Sequence, residues 1–255
     1  FTDGDTIYGV QHYTHSVDSL MSTICKYKNG AITPIAEIGY LSIFYFTDEY
    51  IYYCDNEKTI RRMDYNGENI EEIVRLESIE KFAVHDGKIW YKYTVKENSS
   101  FTSKTAVYNI ETEEYVDLMF DSLYYCDFKF NGSYMYCIDS EYRLLRTNID
   151  DYTVEVVCEN ADCFDFCGEY IIYAYNSSDN DSDGKLYRIS NDENTEIFNA
   201  KELLTPESYY DIDTIQCENG QIFIDISSGP FYSCVTELDI DGSLIKKYYE
   251  TRPWN

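Results

Sequence analysis

The sequence predicts an all-β fold, a single six-bladed β-propeller of four-stranded antiparallel blades, on three observations. First, the stretch from Phe44 to Val74 holds four short strands and three tight turns in about 31 residues, the content of one small antiparallel sheet. Second, variants of that unit recur along the chain. Third, second strands such as Tyr50 to Cys54 and Tyr170 to Tyr175 are almost continuously apolar or aromatic. A sheet with one wet face alternates, whereas a sheet covered on both faces need not.

Two anchors set the blade count. A turn followed by an apolar second strand occurs at Gly4 to Tyr8, Asp48 to Tyr53, Gly87 to Tyr91, Gly132 to Tyr136, Gly168 to Tyr173 and Gly220 to Ile224. A third strand ending in a polar turn occurs at Lys26 to Gly30, Met63 to Gly67, Tyr108 to Thr112, Thr147 to Asp151, Arg188 to Asp192 and Leu238 to Gly242. Asn-Gly and Asp-Gly mark two-residue hairpins, because both central residues must accept positive φ. Fourth strands follow directly, for example Ile32 to Ile38 and Leu244 to Tyr249. The period of roughly 36 to 52 residues is in the range of propeller blades. The six units, approximately 1–39, 40–78, 79–120, 121–160, 161–204 and 205–255, fill a single domain over 1–255. A pair of β-sandwiches ranks second, since a sandwich does not require six copies of one four-strand unit. One short helix is expected at Ala200 to Leu204, bounded by Pro206.

Composition narrows function by exclusion. The chain carries 47 acidic and 20 basic residues, a formal charge of −27, which disfavours phosphate backbones and anionic lipid surfaces and tolerates cationic partners. No apolar run approaches the ~20 residues of a membrane helix, so no membrane insertion is expected. The chain does not open on a charged region and an apolar stretch. Because Phe1 to Tyr8 resembles Phe46 to Tyr52, the expectation is that residues upstream of Phe1, an export signal among them, precede this sequence. Nine cysteines leave at least one unpaired. Cys54 and Cys137 follow tyrosine-rich second strands, and Cys126, Cys167 and Cys217 lie in first strands. Equivalent positions on different blades are expected to keep those thiols apart and to leave the cysteines as small apolar residues. Cys163 and Cys167 lack the second pair a zinc site needs.

One motif points to a cofactor. Asp179, Asp181 and Asp183, alternating before Gly184, offer carboxylates to a hard cation, making calcium the candidate metal; the twelfth position is Ser190 rather than the Glu of an EF-hand. The alternative is a solvated acidic hairpin tip. His12 and His15 would point to opposite faces of a strand and lack further ligands. Ser-His-Asp hydrolysis is poorly supported, without a G-x-S-x-G. Paired carboxylates for glycoside cleavage are plentiful, and for that reason none can be singled out.

The units Tyr50-Ile51-Tyr52-Tyr53, Ile60 to Gly67 and Gly184 to Ile189 resemble a bacterial β-propeller family of unknown function, named after the low-density-lipoprotein-receptor-related propeller. The receptor signature Tyr-Trp-Thr-Asp is only echoed, in Ile51 to Asp55. The resemblance implies an exported or cell-surface propeller used for binding and brings no catalytic residues. The expected function is therefore a non-enzymatic binding or scaffold module outside the cytoplasm, taking a protein or glycan ligand at one end of the ring. The alternative is a carbohydrate-active enzyme with channel-facing carboxylates.

Overall fold

The computed structural model describes residues 1–16, 19–39, 43–97, 100–121, 127–176, 183–191, 193–203, 210–228 and 232–250. They form an all-β chain with one short helix, α1 (Ala200–Leu203). The strands assemble into six separate four-stranded sheets, each a meander whose neighbours in sequence pair antiparallel. The chain divides into two compact units, Phe1–Phe128 and Lys129–Asn255.

The N-terminal unit holds three sheets. The first is β1 (Thr2–Asp3), β2 (Thr6–Ser16), β3 (Ser19–Lys28) and β4 (Ala31–Gly39). The second is β5 (Phe44–Phe46), β6 (Ile51–Cys54), β7 (Thr59–Met63) and β8 (Glu71–Arg75). The third is β9 (Lys81–His85), β10 (Lys88–Glu97), β11 (Ser100–Asn109) and β12 (Tyr115–Asp121). Every residue of β6 is buried, as a strand covered on both faces requires. Its Ile51 and Tyr53 pack with Ile24 and Ile38 of the first sheet, and its Tyr52 and Cys54 with Phe82, Ile89 and Tyr91 of the third.

The C-terminal unit repeats the plan. Its sheets are β13 (Lys129–Asn131), β14 (Tyr134–Ile138), β15 (Leu144–Asn148) and β16 (Val154–Cys158); β17 (Cys163–Cys167), β18 (Tyr170–Tyr175), β19 (Lys185–Ser190) and β20 (Glu193–Asn199); and β21 (Asp211–Glu218), β22 (Gln221–Ser228), β23 (Tyr232–Asp239) and β24 (Leu244–Glu250). Along β22 the period-two set Ile222, Ile224 and Ile226 is buried against Ile172, Ala174 and Leu186. Each such isoleucine contributes about 2 kcal/mol relative to an exposed one.

The turns are knotted by side chains. Asp64 Oδ1 accepts the N–H groups of Asn66 and Glu68, and Asp239 Oδ1 those of Asp241 and Ser243. Asn109 and Asn148 do the same at their turns with a neutral carbonyl. Asp55 and Asp139 cap the hairpins β6–β7 and β14–β15, each also gripping an arginine Nε, Arg61 at 2.9 Å and Arg143 at 2.7 Å. These Asx turns offer the chain a local alternative to the ladder just where it reverses. Two turn glycines also make the stacking close. A Cβ on Gly67 would lie 2.8 Å from the Ile35 carbonyl oxygen of the preceding sheet, and one on Gly242 would overlap the Ile197 carbonyl.

The expected separation of repeat-equivalent cysteines is corrected. Cys167 and Cys217 stand near enough for each thiol to influence the proton affinity of the other. Counted from the hairpin, Cys167 matches Glu218 and Cys217 matches Phe166, so the two cysteines are offset by one residue and point from opposite faces of their sheets. Cys126 lies outside the described residues.

Candidate acidic cavity of the C-terminal unit

In a four-stranded meander, the start of the first strand, the end of the second, the start of the third and the end of the fourth share one end of the sheet. At that end of the C-terminal unit's three sheets lies a cavity of about 480 Å³, lined by Glu141, Tyr142, Asn160, Asp162, Tyr175, Asn176, Asp211 and Asp213. Glu141 and Tyr142 come from the β14–β15 turn, Asn160 and Asp162 from the entry to β17, Tyr175 and Asn176 from the exit of β18, and Asp211 and Asp213 from the first residues of β21.

The backbone there is held by Asn176. Its Oδ1 accepts the Ile212 N–H at 2.9 Å, and its Nδ2 donates to the Ile212 carbonyl at 3.1 Å. Its own N–H donates to Asp162 Oδ2 at 2.7 Å. Asp213 is the extra residue of a bulge: Ile212 pairs with Ile226 and Thr214 with Asp225, leaving Asp213 outside the ladder. Bulges re-aim side chains in this way.

The electrostatics follow from crowding of one sign. Asp162 is half-buried, and its carboxyl is held above the usual range first by burial and then by Asp211, against the opposing Asn176 hydrogen bond. Asp213 is also raised, by desolvation and by Asp225 and Asp211, but its exposure to solvent weakens the effect. No Lys or Arg is among the lining residues. Arg143 approaches from outside and pairs with Glu141 at 3.0 Å. The chemistry offered is a cation-seeking recess with two phenol rings on its wall.

Deeper in the same unit, carboxylate and ammonium are already matched. Lys129 Nζ donates to Asp165 Oδ1 at 2.6 Å and to the Phe164 carbonyl at 2.9 Å, and Asp165 Oδ2 accepts the Cys217 N–H at 2.7 Å. One polar chain thus ties together the first strands of the three sheets.

The N-terminal unit has a cavity of about 610 Å³ of another kind, at the opposite end of its sheets. Its lining includes Thr47 to Tyr50, His85 to Gly87, Glu111 and Arg62. The Arg62 guanidinium lies 4.5 Å from the Tyr50 ring centroid and pairs with Glu71 at 2.6 Å.

Of the residues expected to hold calcium, Asp179 and Asp181 lie outside the described residues, and Asp183 pairs with Lys201 Nζ at 2.8 Å. Gly184, at φ +57°, sits where a Cβ would meet the Tyr210 carbonyl oxygen at 2.9 Å and Ala200 Cβ at 3.1 Å, so packing accounts for it. Among the described residues no group of three or more His, Cys, Asp or Glu is arranged to hold a metal ion. His12 lies on β2 opposite Ser22. The residues of the acidic cavity went unrecognised in the sequence. The available signal was an acid at or just before a first strand, as at Asp162 and Asp211.

No family model matches the chain, and no curated protein sequence does. Solved structures do. The acylaminoacyl peptidase of Pyrococcus horikoshii superposes with a TM-score of 0.66 at 11% identity, over 99% of this chain and 45% of that one, so this chain spans under half of that enzyme's length. An oligogalacturonate lyase in complex with manganese gives 0.61 at 9% identity, over 97% of this chain and 85% of that one. The β-propeller domain of the trilobed protease from Pyrococcus furiosus, described as having an open velcro topology, gives 0.62 at 13% identity, over 99% and 83%. At such identities the likeness establishes a β-propeller fold and carries no chemistry. In the described residues no helix is long and apolar enough to cross a membrane.

Proposed function

We propose that the six sheets are the blades of one six-bladed propeller over residues 1–255, and that the protein is a non-enzymatic binding module of the cell exterior or cell surface. Its ligand is a protein presenting a lysine or arginine side chain, which the acidic cavity of the C-terminal unit receives. The observation that supports this is the cavity lining, with four carboxylates, two tyrosines and two amides. A desolvated cation beside several carboxylates and an aromatic face gains both charge and cation–π attraction, and the formal charge of −27 steers such partners inward. The test is titration calorimetry with short peptides of Lys or Arg against Glu-substituted controls. Asp211→Asn and Asp213→Asn are expected to weaken binding of the basic peptides at least tenfold, and the affinity to fall with salt. Equal affinity for acidic peptides, or indifference to both substitutions, overturns the reading.

The second reading, a carbohydrate-active enzyme, is favoured by one observation. A carboxyl with a raised pKa beside another carboxyl, as Asp162 stands to Asp211, is the pairing from which acid–base catalysis is built. The first-strand carboxylate Asp165 is engaged by Lys129 and is a poorer candidate. Turnover of an oligosaccharide panel that Asp162→Asn abolishes would replace the binding reading. Calcium at Asp179, Asp181 and Asp183 is a separate proposal. There Asp183 would exchange Lys201 for the ion, and an unchanged melting temperature in millimolar calcium overturns it.

A further inference from the structure

The acidic cavity adjoins a second recess of about 460 Å³ in the same unit, and the two share Asn160 and Tyr175 in their walls. The second recess lies between the end of β16 and one face of the next sheet. That face is aromatic. Tyr173 and Tyr175 stand two residues apart on β18, and Tyr187 of β19 is the ladder partner of Tyr173. The Tyr173 and Tyr187 rings are stacked, with centroids 5.2 Å and planes 18° apart. Asn194 Nδ2 donates to Tyr173 Oη at 2.6 Å and pins that ring. Tyr173 is buried and Tyr187 half-buried, so Tyr187 is the ring of the pair that a ligand would meet. Burial pushes the Cys158 thiol and the Tyr173 phenol up to about 12, so both stay neutral at physiological pH. Lys185, the ladder partner of Tyr175, is committed to Glu196 at 3.0 Å and lines neither recess.

We propose that the two recesses are adjoining subsites for one extended peptide segment, which carries a lysine or arginine and, two residues away, an aromatic side chain. The inference rests on the reading of the acidic cavity as a receptor for a basic side chain. Spacing sets the two-residue step. Residues two apart on a strand lie about 6.6 Å apart and on one side, and an extended ligand repeats that step. A cation held in the acidic cavity beside Tyr175 therefore sends the second side chain to the Tyr173–Tyr187 pair, one such step along β18. The intervening ligand side chain points away. The two phenol rings are held by each other and by Asn194, so the aromatic surface is formed before the ligand arrives and little ordering is lost on binding. A ligand ring meeting such a pair gains offset or edge contact beyond the area it buries. Asn160, in the wall of both recesses, offers its amide to the ligand backbone between the two anchors.

The experiment is titration calorimetry of the whole chain with acetylated, amidated tripeptides, which carry no terminal charges. Lys-Gly-Phe or its reverse, Phe-Gly-Lys, should bind about fivefold tighter than Lys-Gly-Gly. The isomers with lysine and phenylalanine adjacent, Lys-Phe-Gly and Gly-Phe-Lys, should show no such gain. In Tyr187→Ala the ratio between the phenylalanine and glycine peptides should fall to about one, and in Tyr187→Phe it should persist. In Asp211→Asn both peptides should weaken together with their ratio kept. If Lys-Gly-Gly binds and phenylalanine adds nothing in either order, the second subsite is overturned while the basic-side-chain reading stands. If no lysine peptide binds more tightly than its Glu-substituted control, that reading falls and the inference with it. A gain that the adjacent isomers share, or that survives Tyr187→Ala, also overturns the proposal. The peptide series on the wild-type chain decides the question even where a tyrosine variant folds poorly.

Discussion

The two cavities lie at opposite ends of their own sheets and treat positive charge in opposite ways. In the N-terminal unit, the chain supplies the cation itself: Arg62 stacks on Tyr50 and pairs with Glu71. In the C-terminal unit, carboxylates and tyrosines are again gathered, and no basic residue lines the recess. The first cavity shows, with an internal guanidinium, the arrangement that the second is proposed to complete with a ligand. Beneath both, the scaffold is shared, down to a turn glycine from one sheet resting on a fourth-strand carbonyl of the sheet before it.

The largest effects should come from that shared scaffold. Gly242→Ala places a methyl group on the Ile197 carbonyl with φ at +84°, and is expected to cost at least about 3 kcal/mol in chemical denaturation. Gly67→Ala, at φ +81° and 2.8 Å from Ile35, should cost somewhat less. Gly30→Ala, at φ +78° with open space around it, should cost about 1 kcal/mol. Equal losses at all three would break the claim that the two units stack alike.

Next comes the clamp peculiar to the C-terminal unit. Asn176→Ala removes both bonds to Ile212 and should cost about 2 kcal/mol. It should also weaken any ligand of the cavity, because the Asp213 bulge loses its anchor. Arg62→Ala sharpens the comparison from the other side. The vacated N-terminal cavity should accept free guanidinium, so that millimolar guanidinium hydrochloride raises the melting temperature of the variant relative to wild type. An identical response of both proteins would remove the parallel between the cavities.

Acid should separate two populations of carboxylates. Asp55 is lowered despite burial, by Arg61 and the Thr59 and Glu57 N–H groups, so its folded pKa lies below its unfolded one. Its stabilisation is present above about pH 4 and is lost as pH falls through the lower folded value. Asp162 has the reverse sign. Its folded pKa is raised, so its contribution is complete below about pH 4 and declines as pH rises through the folded value. Asp162→Asn should therefore raise the melting temperature at pH 7 while weakening basic-peptide binding, and the thermal gain should vanish near pH 4. The smallest effect is expected at Thr147, a fully buried residue whose hydroxyl has no partner among the described residues. Thr147→Val should stabilise by roughly 0.5 kcal/mol.

How much of this was legible beforehand depends on the range of the interaction. The hairpins were readable because Asn-Gly and Asp-Gly sit between apolar runs, and local backbone chemistry decides them. The double-sided burial of Ile51 to Cys54 was readable from an unbroken apolar run. The acidic cavity was not. Asp162 and Asp211 are far apart in sequence, among 47 acids, and only the side-by-side first strands bring them together. The nearness of Cys167 and Cys217 is hidden as well, because it depends on a one-residue offset between β17 and β21 that only the strand pairing shows. The acidic run before Gly184 attracted metal chemistry, yet the glycine answers to Tyr210 and Ala200, contacts invisible in the local motif.

The Asx knots have a consequence for protein engineering. Where Asp64 and Asp239 hold two reversals with an anion, Asn109 and Asn148 perform the same office uncharged. At these two reversals the negative charge is thus separable from the architecture. A version with amides at Asp64 and Asp239 would keep its contour and lower the formal charge only from −27 to −25, so a partner lost on that change would be one that touches those turns rather than one drawn by long-range attraction.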